Sequence, residues 1–530
     1  MSKSFTDIDD KALEALIMRV TEAKENNLAL SPEDCQLLLD ALLTLVSMQT
    51  RLASHDITVH KLRKLLGIEK SSENLSQLIT GDKPPKQKKT RTKKNVNEDA
   101  FTPVKPDVIV HPLTDIVKGE LCGECKKGKL YKTDPGTFLR ITGHSPFTPE
   151  QHVMERARCN ACGVYITAKL PDEVVNDGES HQKYGYSARA LMAIYKYFAG
   201  LPFYRQCSIQ KLLGVKITAS TVFDQVELVS NDLYPVFQML LSLAANAEHY
   251  YMDDTTHRIL DAEPIEKTVR NSTKTQMRSG VYTSGVIATT QEQHTIVLFE
   301  TNIGHAGEFI DSLLHKRSKD SDKPIIMSDA LTSNRPSKCD AILSLCNSHA
   351  RRQFVDVISH FPDEVAHVLT QYGKIWTHDQ DCKAQGQTPE ERLSYHQEHS
   401  LPVMVEIKNW GEIHLENGDI EENSSLGSAI KYFIKHYAGL TQFCTTQGAK
   451  IDNNQIEAML KIVVRDRKNA MFHKTLLGAT IGDVVTSLIA TASESGINVF
   501  NYFTTLQREQ EKVKSNPEKY LPWNYLDAHE

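Results

Sequence analysis

The sequence predicts a multidomain α+β protein. Its 530 residues correspond to three or four domains at roughly 150 residues each. A heptad periodicity lies near the N-terminus, two Cys-x-x-Cys pairs follow, and short apolar runs ending in aspartate then alternate with helical patterns. Hydrophobic residues make up 40% of the chain, enough for more than one core. Lys plus Arg number 61 against 67 Asp plus Glu, a formal charge of −6. That balance excludes a uniformly basic nucleic-acid coat and confines any such surface to local patches. The run Val236 to Ala247 is broken by Gln238, Ser242 and Asn246 and falls short of the roughly 18 residues a spanning helix needs, so no membrane segment is expected. The opening MSKSFTDIDD puts acids where a signal peptide has its apolar core, which makes the cytoplasm the expected compartment. Ten cysteines are too sparse for a disulfide scaffold.

Residues 1–80 read as helical. From Ser31 to Gly67, Leu38, Leu45, Leu52, Val59 and Leu66 share one heptad position, with Ala41, Met48, His55 and Leu62 three residues later. Ser31-Pro32-Glu33 starts this helix and Gly67 stops it; a shorter helix, about Asp9 to Ala23, precedes it. The seam fits either a coiled coil between protomers or a long helix packed within its own chain. Residues 81–105 read as a flexible linker, because KPPKQKKTRTKK holds seven Lys or Arg in twelve residues and no apolar side chain. Its Lys88, Lys89 and Arg91 are candidates for salt-dependent contact with DNA phosphates.

Residues 106–175 hold Cys122, Cys125, Cys159 and Cys162. Two Cys-x-x-Cys turns separated by 33 residues supply the four thiolates of a closed tetrahedral Zn²⁺ site, whereas thioredoxin-like redox chemistry needs only one. Residues 176–245 read as helical: Ala188 to Phe198, a break at Gly200-Leu201-Pro202, about Arg205 to Leu213, then about Ala219 to Leu228 capped by Thr218 or Ser220. This spacing fits a DNA-binding helix-turn-helix and equally a plain three-helix bundle.

The chemistry gathers beyond residue 246. His249-Tyr-Tyr-Met-Asp253-Asp254 reads as a strand delivering a carboxylate at its end. Strands at Gly280 to Ala288 and Thr295 to Glu300 follow, then a helix from about Ala306 to Lys316. A second buried strand ends at Asp329. In the third block Asp452 is placed to cap a helix on which Glu457, Lys461, Arg465 and Lys468 share a face, with Arg467 beside them. Three carboxylates can hold two Mg²⁺ (or Mn²⁺) ions for in-line attack at phosphorus, giving phosphodiester hydrolysis and transesterification. In a fourth block, Cys346-Asn-Ser-His349-Ala-Arg351-Arg352-Gln-Phe354, His349 and the arginines are placed either to contact DNA or to orient the segment that follows. Cys346 with His349 is a candidate second metal site.

Together CNSHARRQF, DNNQIEAMLKIVVRDRKNAMF, MDDTT and LPFYRQCSIQKLLG resemble the insertion-sequence 66 family of bacterial transposases, and the likeness runs in the same order along almost the whole chain. The resemblance implies a DDE recombinase with a ribonuclease-H-like core, 246–354 and 424–505, and the catalytic, Mg²⁺-binding triad Asp253, Asp329 and Glu457. It also implies a helical insertion, 355–423, and a C-terminal tail, 506–530. The insertion agrees with the spacing, 76 residues from the first acid to the second but 128 from the second to the third. Members usually read Asp-Glu-Thr at the first acid, so Asp254 stays a rival of Asp253. The function implied is binding of terminal repeats through the zinc and helix-turn-helix modules, followed by DNA cleavage and strand transfer. Phosphate contacts would come from Arg351, Arg352, Lys461, Arg465, Arg467 and Lys468. A homo-oligomer and accessory proteins of the same element are the expected partners. The alternatives are a transposase-derived regulator that binds DNA without chemistry and an unrelated zinc-containing nuclease.

Overall fold

The computed structural model describes residues 10–26, 29–39, 145–158, 165–178, 182–268 and 275–529, and contacts divide the chain into Met1–Lys89 and Thr90–Glu530. In the first unit, helix Asp10–Glu25 is followed by a helical stretch at 32–39, where Ser31 Oγ accepts from the Asp34 N–H at 3.0 Å. Arg19 donates to Asp34 at 2.8 Å and joins the two. The heptad beyond Leu39, the basic segment with Lys88, Lys89 and Arg91, and Cys122, Cys125, Cys159 and Cys162 lie outside the described residues.

The second unit begins with a small hairpin, β1 (Arg156–Arg158) and β2 (Tyr165–Thr167). Helices Tyr186–Tyr197, Phe203–Leu212 and Ala219–Ala244 follow. Thr218 caps the third of these, accepting from the Thr221 N–H at 3.3 Å. That helix does not stop near Leu228. Its apolar face continues through Val229, Leu233, Val236, Leu240 and Ala244, all fully buried, and carries it across Pro235. The proline forfeits one backbone hydrogen bond, which burial of four further turns outweighs.

The helices share one core with a five-stranded mixed sheet. Its strands are β3 (His249–His257), β6 (Val281–Thr289), β7 (Thr295–Asn302), β8 (Ile325–Ser328) and β9 (Ile342–Leu345), in the order β7-β6-β3-β8-β9. The first three form an antiparallel meander, while β8 and β9 run parallel to β3. A side hairpin, β4 (Ile265–Thr268) and β5 (Thr275–Arg278), extends from the connection after β3. The sequence patterns did not reveal β4, β5 or β9, each only four residues long.

Helix Leu476–Glu494 lies along β7. The Val297 N–H donates to Thr491 Oγ1 at 3.0 Å, Phe299 N–H to Ser487 Oγ at 2.9 Å and Thr301 N–H to Asp483 Oδ2 at 2.7 Å. This helix is long and apolar enough to cross a membrane by length and composition, and 67% of its most apolar window is buried. Periodicity and charge did not single it out. Between β9 and the third acid stand helices Asn347–Val355, Pro362–Ala384, Pro389–Tyr395, Leu401–Glu416 and Ser425–Leu440. Beyond Arg508 the chain is still helical, and Val513 and Leu521 are buried in the shared core.

Candidate active site

Alternation along β3 sends Asp253 and Asp254 to opposite faces of the sheet. Tyr251, two residues before Asp253, packs with Ile456 and Leu460 of helix Asn454–Ala470. Asp253 therefore faces the helix that carries Glu457. Met252 packs on the other face in the larger core, and there Asp254 Oδ2 meets His305 Nδ1 at 2.8 Å. His305 lies against the ring of Tyr282, with centroids 4.0 Å apart. The geometry thus gives the two rivals different surroundings: Asp254 is engaged by His305, and Asp253 by the acids.

β3 does not end at these residues. It stays paired with β6 through His257, so Asp253 sits in mid-strand opposite Gly285. The opening comes from the other neighbour, because pairing of β3 with β8 stops at Tyr251↔Met327. β8 itself ends at Ser328, and Asp329 follows at once. Its Oδ1 accepts from the Leu331 N–H and from Asn334 Nδ2, both at 3.1 Å. Gly285 is required by the close approach of the third-acid helix. A Cβ there would meet Ile456 Cδ1 at 3.0 Å and Leu460 Cδ2 at 3.1 Å.

Burial pushes the Asp253 carboxyl up to about 7, and the charges of Asp329, Asp254 and Glu457 add to the rise. The Asp254 N–H, donating to Asp253 Oδ1 at 2.8 Å, works the other way. Such mutual repulsion marks carboxylates held together in partial burial. Glu457 Oε1 is buried and has no hydrogen-bond partner among the described residues. Oxygen donors of this kind, grouped in partial burial, fit a hard divalent cation.

The Asp-Asn-Asn run has a structural use that spacing did not disclose. Asp452 is not the helix cap; Asn453 holds that position, without a capping side chain. Asp452 Oδ1 accepts from the Asn454 N–H at 3.2 Å, and its Oδ2 from Trp376 Nε1 at 3.2 Å. Asn453 is fully buried and its Nδ2 reaches the Met252 carbonyl at 3.5 Å. The run thus fixes the start of the Glu457 helix to β3 and to the helices of the insertion.

On that helix Lys461, Arg465 and Lys468 are exposed, as the shared face requires. Arg465 donates to the Phe198 carbonyl and lies 5.2 Å from its ring centroid. Arg467 points elsewhere, donating to Thr255 Oγ1 at 2.9 Å and to the Thr256 carbonyl, and so clamps the helix to β3. Arg351 and Arg352 lie on helix Asn347–Val355, Arg352 exposed. At the start of the same helix, His349 Nε2 stands 3.6 Å from Glu457 Oε1. Burial pushes the Cys346 thiol beside it up to about 12. Sequence reasoning paired Cys346 with His349 but did not join them to Glu457, and it missed His305, for which no local signal exists.

Comparison with known proteins adds a family. The model of the IS66 transposase family matches residues 181–481. Three similar proteins of Sinorhizobium fredii are themselves uncharacterized. Protein y4jD is 33% identical over 193 residues, 34% of this chain and 36% of that protein. Protein y4hP is 23% identical over 441 residues, 79% of this chain and 75% of the other. Protein y4qI is 24% identical over 345 residues, 63% and 62% of the two. The chain thus spans about a third of the length of the first of these relatives.

Proposed function

The chain belongs to the IS66 transposase family, and from that premise we propose that it is a DDE transposase that binds the terminal repeats of its element and cleaves and rejoins DNA at them. The observation that carries the reading is the mutual electrostatic influence of Asp253, Asp329 and Glu457 near the point where β3 and β8 part, with Glu457 Oε1 buried and without a hydrogen-bond partner among the described residues. In this reading the three carboxylates hold Mg²⁺ (or Mn²⁺), which when bound supplies activation of the attacking oxygen and neutralises the departing one. Asp253 is the first ligand, since Asp254 serves His305. Asp452 and Asn453 position Glu457, and Arg467 fixes the far end of its helix.

Lys461, Lys468 and Arg352, all exposed, together with Arg351 and Arg465, receive DNA phosphates in a salt-dependent manner. The mixed sheet, helices on both faces and a helical block between the second and third acids support the ribonuclease-H-like reading. The capped helix at Ala219–Ala244 preceded by Phe203–Leu212 supports a helix-turn-helix role in end recognition. The Cys122, Cys125, Cys159 and Cys162 zinc module and the N-terminal coiled coil, pairing two protomers in the cytoplasm, complete the proposal. Accessory proteins of the same element belong to it as partners.

The test incubates the full chain with labelled DNA carrying the ends of its element, in Mg²⁺ or EDTA, beside Glu457→Gln. Cleavage or joining at the ends that disappears with EDTA and in the variant is the expected result. Tight, salt-sensitive binding with no strand breakage, even when the accessory proteins are added, would turn the reading to a DNA-binding regulator.

A further inference from the structure

Cys346, His349 and Glu457 form a cluster whose donors differ in kind from the carboxylate group beside it. One ligand atom from each of the three lies within 4.8 Å of the other two. Zn²⁺ bonds of about 2.3 Å to sulfur and 2.0–2.2 Å to nitrogen and oxygen give tetrahedral edges of roughly 3.3–3.8 Å. The edge from His349 Nε2 to Glu457 Oε1, 3.6 Å, meets that requirement as it stands. No edge exceeds 4.8 Å, so the remaining closure is about 1 Å at most, within reach of a side-chain torsion.

The ligands are also held in place before any ion arrives. Cys346 precedes the first turn of helix Asn347–Val355 and His349 lies within that turn, so an i, i+3 spacing sets both on one side. Asn347 between them is fully buried, donating through its backbone N–H to the Ile451 carbonyl at 3.1 Å and through Nδ2 to the Leu440 carbonyl at 2.9 Å. This joins the start of one ligand helix to the segment that leads into the other. Glu457 Oε1 is buried without a hydrogen-bond partner among the described residues, a cost that a bound ion would relieve.

We infer that Cys346, His349 and Glu457 form a binding site for a zinc-type transition-metal ion, with water as fourth ligand. Thiolate and imidazole donors select such ions over Mg²⁺, for which carboxylates alone suffice. Glu457 is then common to both sites, and an ion on the cysteine side withdraws it from the carboxylate centre. That last consequence rests on the proposed function; the binding itself does not.

The experiment strips the full chain of metal and titrates it with Co²⁺ alone, then with Zn²⁺ alone, in the absence of DNA and Mg²⁺. Bound ions per chain are counted by elemental mass spectrometry, and the Co²⁺–thiolate charge-transfer band is recorded. Wild type, Cys346→Ser and His349→Asn are compared, so that cysteines elsewhere contribute equally to all three. Each variant should bind one ion fewer at concentrations that saturate wild type, with affinity at this site reduced about 100-fold or more. The band should fall in Cys346→Ser. Equal stoichiometry and equal affinity in all three overturns the inference. If circular dichroism shows Cys346→Ser to be unfolded, His349→Asn and Glu457→Gln decide the matter, since both side chains are partly exposed. A lost ion without any DNA cleavage by wild type, even with the accessory proteins added, would leave this site standing and remove the transposase reading; cleavage with an unchanged ion count would do the reverse.

Discussion

Lys196 on helix Tyr186–Tyr197 and Asp466 on the Glu457 helix form an ion pair with side chains only 7% and 8% exposed, Nζ lying 2.5 Å from one carboxylate oxygen and 2.6 Å from the other. At that distance and an effective dielectric constant of about 20 the attraction is about 6–7 kcal/mol. Desolvation of two ions, several kcal/mol each, offsets most of it. The pair is thus nearly neutral in net stability, yet removal of one partner strands the other in a dry site at about 3–5 kcal/mol. Lys196→Met should accordingly loosen the third-acid helix, while Lys196→Met combined with Asp466→Leu should restore it to within about 1 kcal/mol. Unfolding of a chain this large need not be two-state, so the assay is native-state hydrogen exchange on peptides from Asn454–Ala470. The single variant should exchange about 10²–10⁴ times faster there, at tenfold per 1.4 kcal/mol. An acceleration below tenfold, or a double variant as labile as the single one, would refute the reasoning.

Two other perturbations follow from the same region. Gly285→Ala places a methyl against Ile456, Leu460 and Phe299 at 3.0–3.2 Å; it should cost about 1–3 kcal/mol and lower end cleavage with circular dichroism preserved, and wild-type cleavage and melting would contradict it. Burial pushes the Asp483 carboxyl up to about 7, against the hydrogen bonds that Thr301 donates to it. Because the folded value lies above the unfolded one, its contribution to stability is complete below about pH 4 and is lost as pH rises through about 7. The melting temperature of wild type minus that of Asp483→Asn should fall between about pH 4 and 7 and level off above; a flat difference would count against the assignment.

The acids were legible in the sequence because each stands at a break in an apolar pattern: Asp253 after Tyr250-Tyr251-Met252, Asp329 after Ile325 to Ser328, Glu457 at the head of a helical face. The extent of β3 was not, since it is fixed by β6, whose partner residues lie tens of positions away. Nor could local spacing show that Arg467 serves Thr255 and Thr256, or that Asp452 holds Trp376, contacts spanning 212, 211 and 76 positions. The end of Ala219–Ala244 was misplaced for a different reason. Proline is a local signal against a helix, and the buried face that overrides it is paired with the sheet core. Motifs therefore pointed to candidate residues, while long-range contacts decided which polar residues are spent on positioning them.

The three side chains that meet β7 recur every fourth residue of their helix, whereas the strand amides they satisfy recur every second residue. Four helical residues advance about 6.0 Å and two strand residues about 6.6–6.8 Å, so the two scales drift apart by roughly 0.7 Å per step. Over Asp483, Ser487 and Thr491 the accumulated error is about 1.4 Å, which side-chain length absorbs. A further step would raise the error to about 2.1 Å, and the chain does not attempt it: position 479 is alanine, and Ser495 turns back to the Thr491 carbonyl at 3.0 Å. The helix is in effect a vernier set against the strand. It fixes the longitudinal position of Leu476–Glu494 to a single residue and leaves this margin of the sheet closed to a strand from any other molecule.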